Sequence, residues 1–482
     1  MDKNQFTTPL LDALLKYARS SPSRFHVPGH GGGKGAPPDL AAALGGAVFS
    51  MDVTELPGLD DLNSPSGVIA RAQELASRAF GADRSFFLAN GTTLGLQALL
   101  LAVGQPGDKL ILPRNSHRSI IGGLILAGIE PIFLTPTVVP GFNFAAGVPV
   151  ANIGRALADH PGVCALLCIH PTYYGTTGNT AGASIMARAA GIPLLADEAH
   201  GSHLYFHPQY PPGALEAGSD AAVQSMHKTG GSLTQSSILH IKGPLLDGHR
   251  VFSALKLIQT SSPSYILMAS LDAARRQLAV RGNDLLQEVL EVSGEVRYRL
   301  SAISGIEVFG ARYLDGDGVF DYDPSRLVVR VSGAGIQGYL AAQWLAGQGI
   351  FVELADRDNI VLVLGPGIDR EDCRILVRAV GDLAAREGLG RALTPTPEIP
   401  CAGAAVKLRE AWFAPSRPVR LGDSAGRVAG EWVAVYPPGI PVLIPGEEIT
   451  TDMVNYLVEA RETGARFQGP DNPALDFIRV LE

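Results

Sequence analysis

Three short motifs hold residue types that do chemistry in combination. NGTT, Asn90 to Thr93, stands where a strand-like run passes into a helix-like one. Exposed N–H groups and the helix dipole there favour an anion, and the hydroxyls of Thr92 and Thr93 add donors. Asp197 in LLADEAHGSHL closes an apolar strand, a place where a carboxylate can meet a cationic ring nitrogen. Lys228 in SMHKTGG, flanked by Ser225, His227 and two glycines, is a candidate Schiff-base lysine. Taken singly, each has a plain reading: a helix N-cap, an acid turning out of a strand, a solvated lysine. In this order on one frame they are far more specific.

That frame is an alternation of strands and helices from residue 85 to about 260. SFFLAN, KLILP, PIFLT, ALLCIH, PLLADE and AAVQSMH read as strands. GTTLGLQALLLAV, SIIGGLILAG and ASIMARAAG read as helices between them. The alternation predicts an α/β fold with a mostly parallel sheet covered by helices. The runs LILP, LLCIH and LLAD are apolar throughout, as strands buried on both sides are. Before this block, residues 8 to 19 and 68 to 80 show helical spacing. Between them lie two irregular stretches, SRFHVPGHGGGKG and the acid-rich DVTELPGLDDLNSPSG. Residues 265 to 302 predict one long helix or two in series, with Leu267, Leu271, Leu278, Leu285 and Leu286 inward. RLVVRVS, GYLAAQWLAGQ, IFVELAD and NIVLVLGP suggest a small α+β domain. LTPTPEIPCAG, 393 to 403, reads as a linker to a short third domain.

Composition narrows the function. Charged residues are 18% and hydrophobic ones 46% of 482, enough for large cores and too little charge for global disorder. A formal charge of −8 argues against a nucleic-acid partner. The four cysteines, Cys164, Cys168, Cys373 and Cys401, form neither a disulfide framework nor a zinc signature, so no metal is expected. The N-terminus has no secretory pattern. The longest apolar stretch, from Ile120, is broken by Glu130 and Pro131. The expectation is a cytoplasmic protein with no membrane partner.

The whole chain resembles the bacterial Orn/Lys/Arg decarboxylases, a family of fold type I (aspartate aminotransferase-like) pyridoxal-phosphate enzymes. The matching segments are FHVPGHGGGKG, DVTELPGLDDL, FLANGTTLGLQALL, LPRNSHRSIIGGLILAG, HPTYYGTTG, ADEAHGSHLYF, QSMHKTGGSLTQ and YPPGIPVLIPGE. The resemblance is to the shorter members, which lack the N-terminal wing domain. It implies four parts: an N-terminal helix and active-site loops (1–67), a cofactor-binding large domain (68–310), a small α+β domain (311–392) and a C-terminal α+β domain (393–482).

It also implies roles. Lys228 would form the Schiff base with pyridoxal 5'-phosphate, and Asp197 would face its ring nitrogen. His117 would stack on the ring. Asn90, Gly91, Thr92, Thr93 and Ser225 would hold the phosphate with His227 beside it. His200 would lie at the ring edge. Lys228 or His227 would return a proton to Cα. Thr172 and Tyr173 would border the substrate. Asp60, Asp61, Glu353 and Glu447 are the carboxylates offered to its cationic end. The implied reaction is decarboxylation of a basic L-amino acid, arginine to agmatine first, then lysine to cadaverine or ornithine to putrescine, feeding polyamine synthesis. The implied minimal unit is a homodimer, or a larger dimer-based oligomer, with active sites between subunits. Transamination or aldol cleavage is the rival chemistry, with Arg326 or Arg330 as the carboxylate clamp a transaminase needs. A non-catalytic relative is a third reading, which the presence of both Lys228 and Asp197 opposes.

Overall fold

The computed structural model describes residues 3–20, 22–386, 400, 403–436 and 439–482. The linker at 393–403, apart from Pro400 and Gly403, lies outside these residues, as do Cys401 and the Pro437–Pro438 pair. The chain forms two compact units, Met1–Val103 with Pro193–Leu285 and Gly104–Ile192 with Leu286–Glu482.

The first unit is built on four strands in the order Arg84–Leu88, Ser237–Ile241, Ala221–Gln224, Leu194–Asp197. The last two are parallel, whereas Ser237–Ile241 runs against both of its neighbours. All four are buried almost throughout, as their apolar runs require. Helix Gly91–Val103 follows the first strand with the bounds its sequence implies. It packs so closely that a Cβ on Gly95 would lie 2.5 Å from Val223 Cγ1 and 2.7 Å from Leu88 Cδ1. Only glycine fits that contact.

A second layer uses helices Pro9–Arg19, Val68–Phe80 and the start of Tyr265–Ser301, which is one helix of 37 residues. Leu10, Leu14, Leu59, Leu62, Ile69, Phe80, Leu271 and Leu278 form its core. Leu267 and Leu285, expected inward, are half-buried. Helix Pro9–Arg19 is tied down by a fully buried ion pair. Asp272 Oδ2 accepts the Leu10 N–H at 2.9 Å, and Arg275 donates to the carbonyls of Gln5 and Thr7. The helix's free N–H groups thus end on a carboxylate.

The second unit holds three parallel strands, Ala165–Ile169, Lys109–Pro113 and Glu130–Leu134, paired in that order. A four-stranded antiparallel sheet, Leu354–Ala355, Asn359–Val363, Arg326–Arg330 and Glu307–Val308, packs with helices Gly338–Gly347 and Arg370–Ala384 around their own core. The C-terminal part has two further antiparallel sheets and helix Thr451–Glu462 around Leu421, Val433, Val442, Met453 and Leu457. Among the described residues no helix is long and apolar enough to cross a membrane.

Two local readings need correction, and one strand went unread. AAVQSMH is a strand only to Gln224. The chain turns at Ser225, and Lys228 stands on the short helix Met226–Thr229. IFVELAD is a strand only at Leu354–Ala355. The reversed strand Ser237–Ile241 lacks a strong sequence signal, because His240 sits inside it.

Candidate active site

In the first unit the C-terminal ends of two parallel strands hold the chemistry. Asp197 ends its strand at 6% exposure, and Lys228 lies just past the end of the neighbouring strand. Burial pushes the Asp197 carboxyl up, and the nearby Lys228 ammonium and the Ala199 N–H pull it back. Lys228 Nζ is 2.9 Å from Nε2 of His200, which is itself buried. An amine, a carboxylate and an imidazole therefore share one mostly dry corner.

Beside it lies a cradle for an anion. The N-terminus of helix Gly91–Val103 has Asn90 and Thr93 exposed, with Gly91 at φ 75°. Thr92 turns inward, its Oγ1 2.5 Å from Ser225 Oγ and 3.1 Å from Ser237 Oγ. A helix N-terminus 13 residues deep, backed by a hydroxyl cluster, suits a phosphate. His227 Nδ1 donates to the Ser236 carbonyl at 3.0 Å, and burial, against that bond, holds the imidazole below its ordinary pKa. The carbonyl thereby fixes a proton on Nδ1 and the orientation of the ring. These residues fit pyridoxal 5'-phosphate: a cradle for its phosphate, an amine for its carbonyl and a carboxylate for its ring nitrogen.

Sequence reasoning did not find the polar group behind this corner. Glu198, Gln224 and His240 are all fully buried. Glu198 accepts from Ala214 N–H (2.7 Å), Tyr205 O–H (2.7 Å) and Gln224 Nε2 (2.8 Å). Burial pushes its carboxyl up to about 8, against the pull of those donors. His240 joins Gln224 Oε1 at 3.1 Å and Ser85 Oγ at 2.7 Å, and burial lowers it to about 3. The one signal was a glutamine at the end of one apolar strand and an acid just past the end of another.

The second unit places other expected residues. His117 is exposed and caps helix Arg118–Ala127, its Nδ1 accepting from Ser119 N–H at 3.2 Å. That bond fixes the ring's tautomer and orientation. Thr172 is buried in a turn, with N–H on the Thr176 carbonyl and Oγ1 2.8 Å from Thr176 Oγ1. The Tyr173 hydroxyl is pushed up by burial first, then by Glu353, to whose carboxylate it donates. Arg326, 2% exposed, lies in the field of Asp323, Glu353 and Tyr173. Arg330 pairs with Glu307 at 2.5 Å and donates to the Gly141 carbonyl. The Arg330 guanidinium is therefore taken by Glu307 rather than offered to a free carboxylate.

Two carboxylates expected at the substrate are occupied locally. Asp60, at φ 70°, accepts from the N–H groups of Asp61, Ser66, Gly67, Ile69 and Ala70. It caps helix Val68–Phe80, and those bonds outweigh burial and hold its carboxyl below the usual range. Glu447 is locked with Arg114 in a bidentate pair, 2.5 and 2.8 Å, and also accepts from Ile444 N–H. Both of those side chains are 5% exposed. Asp61 accepts from Asn63 N–H through one oxygen only. Cys164, Cys168 and Cys373 form no disulfide. No cluster of potential metal ligands occurs among the described residues.

Comparisons with known proteins agree with this chemistry. The Orn/Lys/Arg decarboxylase major-domain family matches residues 8–372, and the corresponding C-terminal domain family matches residues 405–473. The chain is 39% identical over 485 residues to an arginine decarboxylase of Bacillus subtilis, covering 99% of both. It is 38% identical to an arginine decarboxylase of Bacillus anthracis, covering 99% of this chain and 98% of that one. The solved constitutive lysine decarboxylase of Escherichia coli superposes with a TM-score of 0.85 at 21% identity, covering 99% of this chain and 82% of that one. With a lysine, a buried carboxylate and a helix N-terminus brought together on this α/β frame, the chain belongs to the Orn/Lys/Arg decarboxylase family of fold type I pyridoxal-phosphate enzymes.

Proposed function

We propose that this enzyme decarboxylates arginine to agmatine and CO₂ in the cytoplasm, as a homodimer or dimer-based oligomer with active sites between subunits. The observation that carries the chemistry is the buried meeting of Lys228, Asp197 and His200 beside the cradle of Thr92, Thr93 and Ser225. Full-length similarity to Bacillus arginine decarboxylases favours arginine over lysine or ornithine. The four-part division at 67, 310 and 392 is our reading of how the chain is organised.

When bound, pyridoxal phosphate supplies the electron sink that takes up the pair left on Cα as CO₂ departs. The chain supplies position and charge. Asp197 would supply the carboxylate that keeps the cofactor's ring nitrogen protonated. Asn90, Gly91, Thr92, Thr93 and Ser225 would hold its phosphate. His117, its ring fixed by its capping bond, is the residue proposed to stack on the cofactor. Lys228 holds a proton at Nζ, and His200, at hydrogen-bond distance, takes or returns it. His227, tied to the Ser236 carbonyl, stands beside the phosphate rather than acting as the acid. At the far end Glu353, joined to Tyr173, offers the substrate guanidinium a carboxylate with two oxygens, and a planar fork suits it better than an ammonium does. Asp61 and Thr172 are the other residues proposed to meet the substrate.

The test is CO₂ release with cofactor from arginine, lysine and ornithine side by side, in the parent protein and in Lys228→Ala. Release from arginine alone, lost in the variant, is the expected result. Faster release from lysine refutes the substrate assignment.

A further inference from the structure

Asp197 and Lys228 hold their geometry only if the strand ends and the loop that follows Asp197 are fixed. That loop runs over the corner and carries His200 and Ser202, whose Oγ lies 2.8 Å from Thr229 Oγ1 beside Lys228. One carboxylate pins it. Glu198 Oε1 takes the Ala214 N–H at the loop's far end, and Oε2 takes the Tyr205 hydroxyl in its middle. Oε2 also takes Gln224 Nε2, from the strand that leads through Ser225 to Lys228. The Glu198 N–H itself bonds the Val223 carbonyl, so backbone and side chain both hold the two strand ends in register. Gln224 is held in turn by His240 on the neighbouring strand, and His240 by Ser85 on the strand beyond it. The Tyr205 oxygen also accepts the Leu215 N–H. Every polar atom in this chain of contacts is spent on the loop and strand ends.

We infer that Glu198 is a positioning residue for the decarboxylase site: through Tyr205, Ala214 and Gln224 it sets the spacing of Asp197, His200 and Lys228, and so the affinity for the cofactor. This rests on the reading of Lys228 and Asp197 as the residues that face the cofactor. The two oxygens of Glu198 accept from all three partners. An amide must turn its NH₂ toward the Ala214 N–H or toward Tyr205 and Gln224, and at least one bond becomes a donor facing a donor.

The experiment compares the full-length parent, Tyr205→Phe and Glu198→Gln. Three quantities are measured: the dissociation constant of pyridoxal phosphate, the pH midpoint of the bound cofactor's visible band, and the melting temperature of the cofactor-free protein. Both variants are expected to weaken cofactor binding at least tenfold and to move the band's midpoint by half a pH unit or more. A merely structural role lowers the melting temperature while binding stays within twofold and the midpoint stays put, and that result overturns the inference. Tyr205→Phe keeps the carboxylate and two of its three donors, so it decides the matter if Glu198→Gln fails to fold. Borohydride reduction of the parent, followed by peptide mapping, separates the two layers. Label elsewhere than Lys228 refutes the cofactor-site reading. Label on Lys228 with unmoved binding in the variants refutes the positioning role alone.

Discussion

Glu447 was expected at the substrate, and the structure instead makes it half of a buried ion pair; the two roles predict opposite results for one substitution. Glu447→Ala removes a carboxylate that holds Arg114 through two charge-assisted hydrogen bonds. Arg114 then keeps the Val442 carbonyl at 3.0 Å and the Phe133 ring at 4.8 Å, and its charge stays buried without a counter-ion. Breaking a buried pair from one side costs about 3–5 kcal/mol. For a large unfolding unit each kcal/mol moves the melting temperature by about 2 °C, so the midpoint should fall by about 6–10 °C. KM for arginine should stay within twofold of the parent, because no substrate contact is lost. Arg114→Met should fall by a similar amount. The double variant Arg114→Met/Glu447→Leu should be more stable than either single one, since no charge is left stranded. The assays are thermal melts of the cofactor-loaded protein and initial rates of CO₂ release. A KM raised tenfold or more with an unmoved melting temperature refutes the argument and returns Glu447 to the substrate.

Asp60→Asn tolerates the positive φ but surrenders bonds to the loop N–H groups, at about 1–3 kcal/mol. Because the folded carboxyl lies below its ordinary value, its contribution is present above about pH 4 and lost as pH falls further. The variant should therefore be less stable at pH 7 and show a shallower acid limb, with KM unchanged. His240, lowered to about 3, must stay neutral in the fold, so stability is lost as pH falls from about 6.5 toward 3, by up to about 1.4 kcal/mol per pH unit. Replacing it with Met should flatten the urea midpoint between pH 7.5 and 5, and an unchanged slope refutes the assignment. Asp197→Asn should cost on the order of 10²–10³ in kcat, because a neutral amide no longer keeps the ring nitrogen protonated. Full activity in that variant excludes the proposed role.

The parts of this protein legible in its sequence are those set by local periodicity and chain order. The bounds of helix Gly91–Val103, the apolar strands before Pro113 and Asp197, and the sequence of NGTT, Asp197 and Lys228 all follow from residues close together in the chain. A 3.6-residue or 2-residue repeat is written locally, and a strand end is where an α/β fold exposes its reactive groups. What tertiary structure alone decided are pairings between distant residues. Ser237–Ile241 is a central strand despite its histidine because Ser85 and Gln224, 155 and 16 positions away, satisfy both ring nitrogens. Glu447 was taken by Arg114 across 333 residues, whereas Asp60 became a cap through a fold of its own loop that no periodicity announces. A carboxylate's sequence context shows its charge, but only the folded chain shows which donors reach it first, and that competition separates a structural acid from one free to meet a substrate.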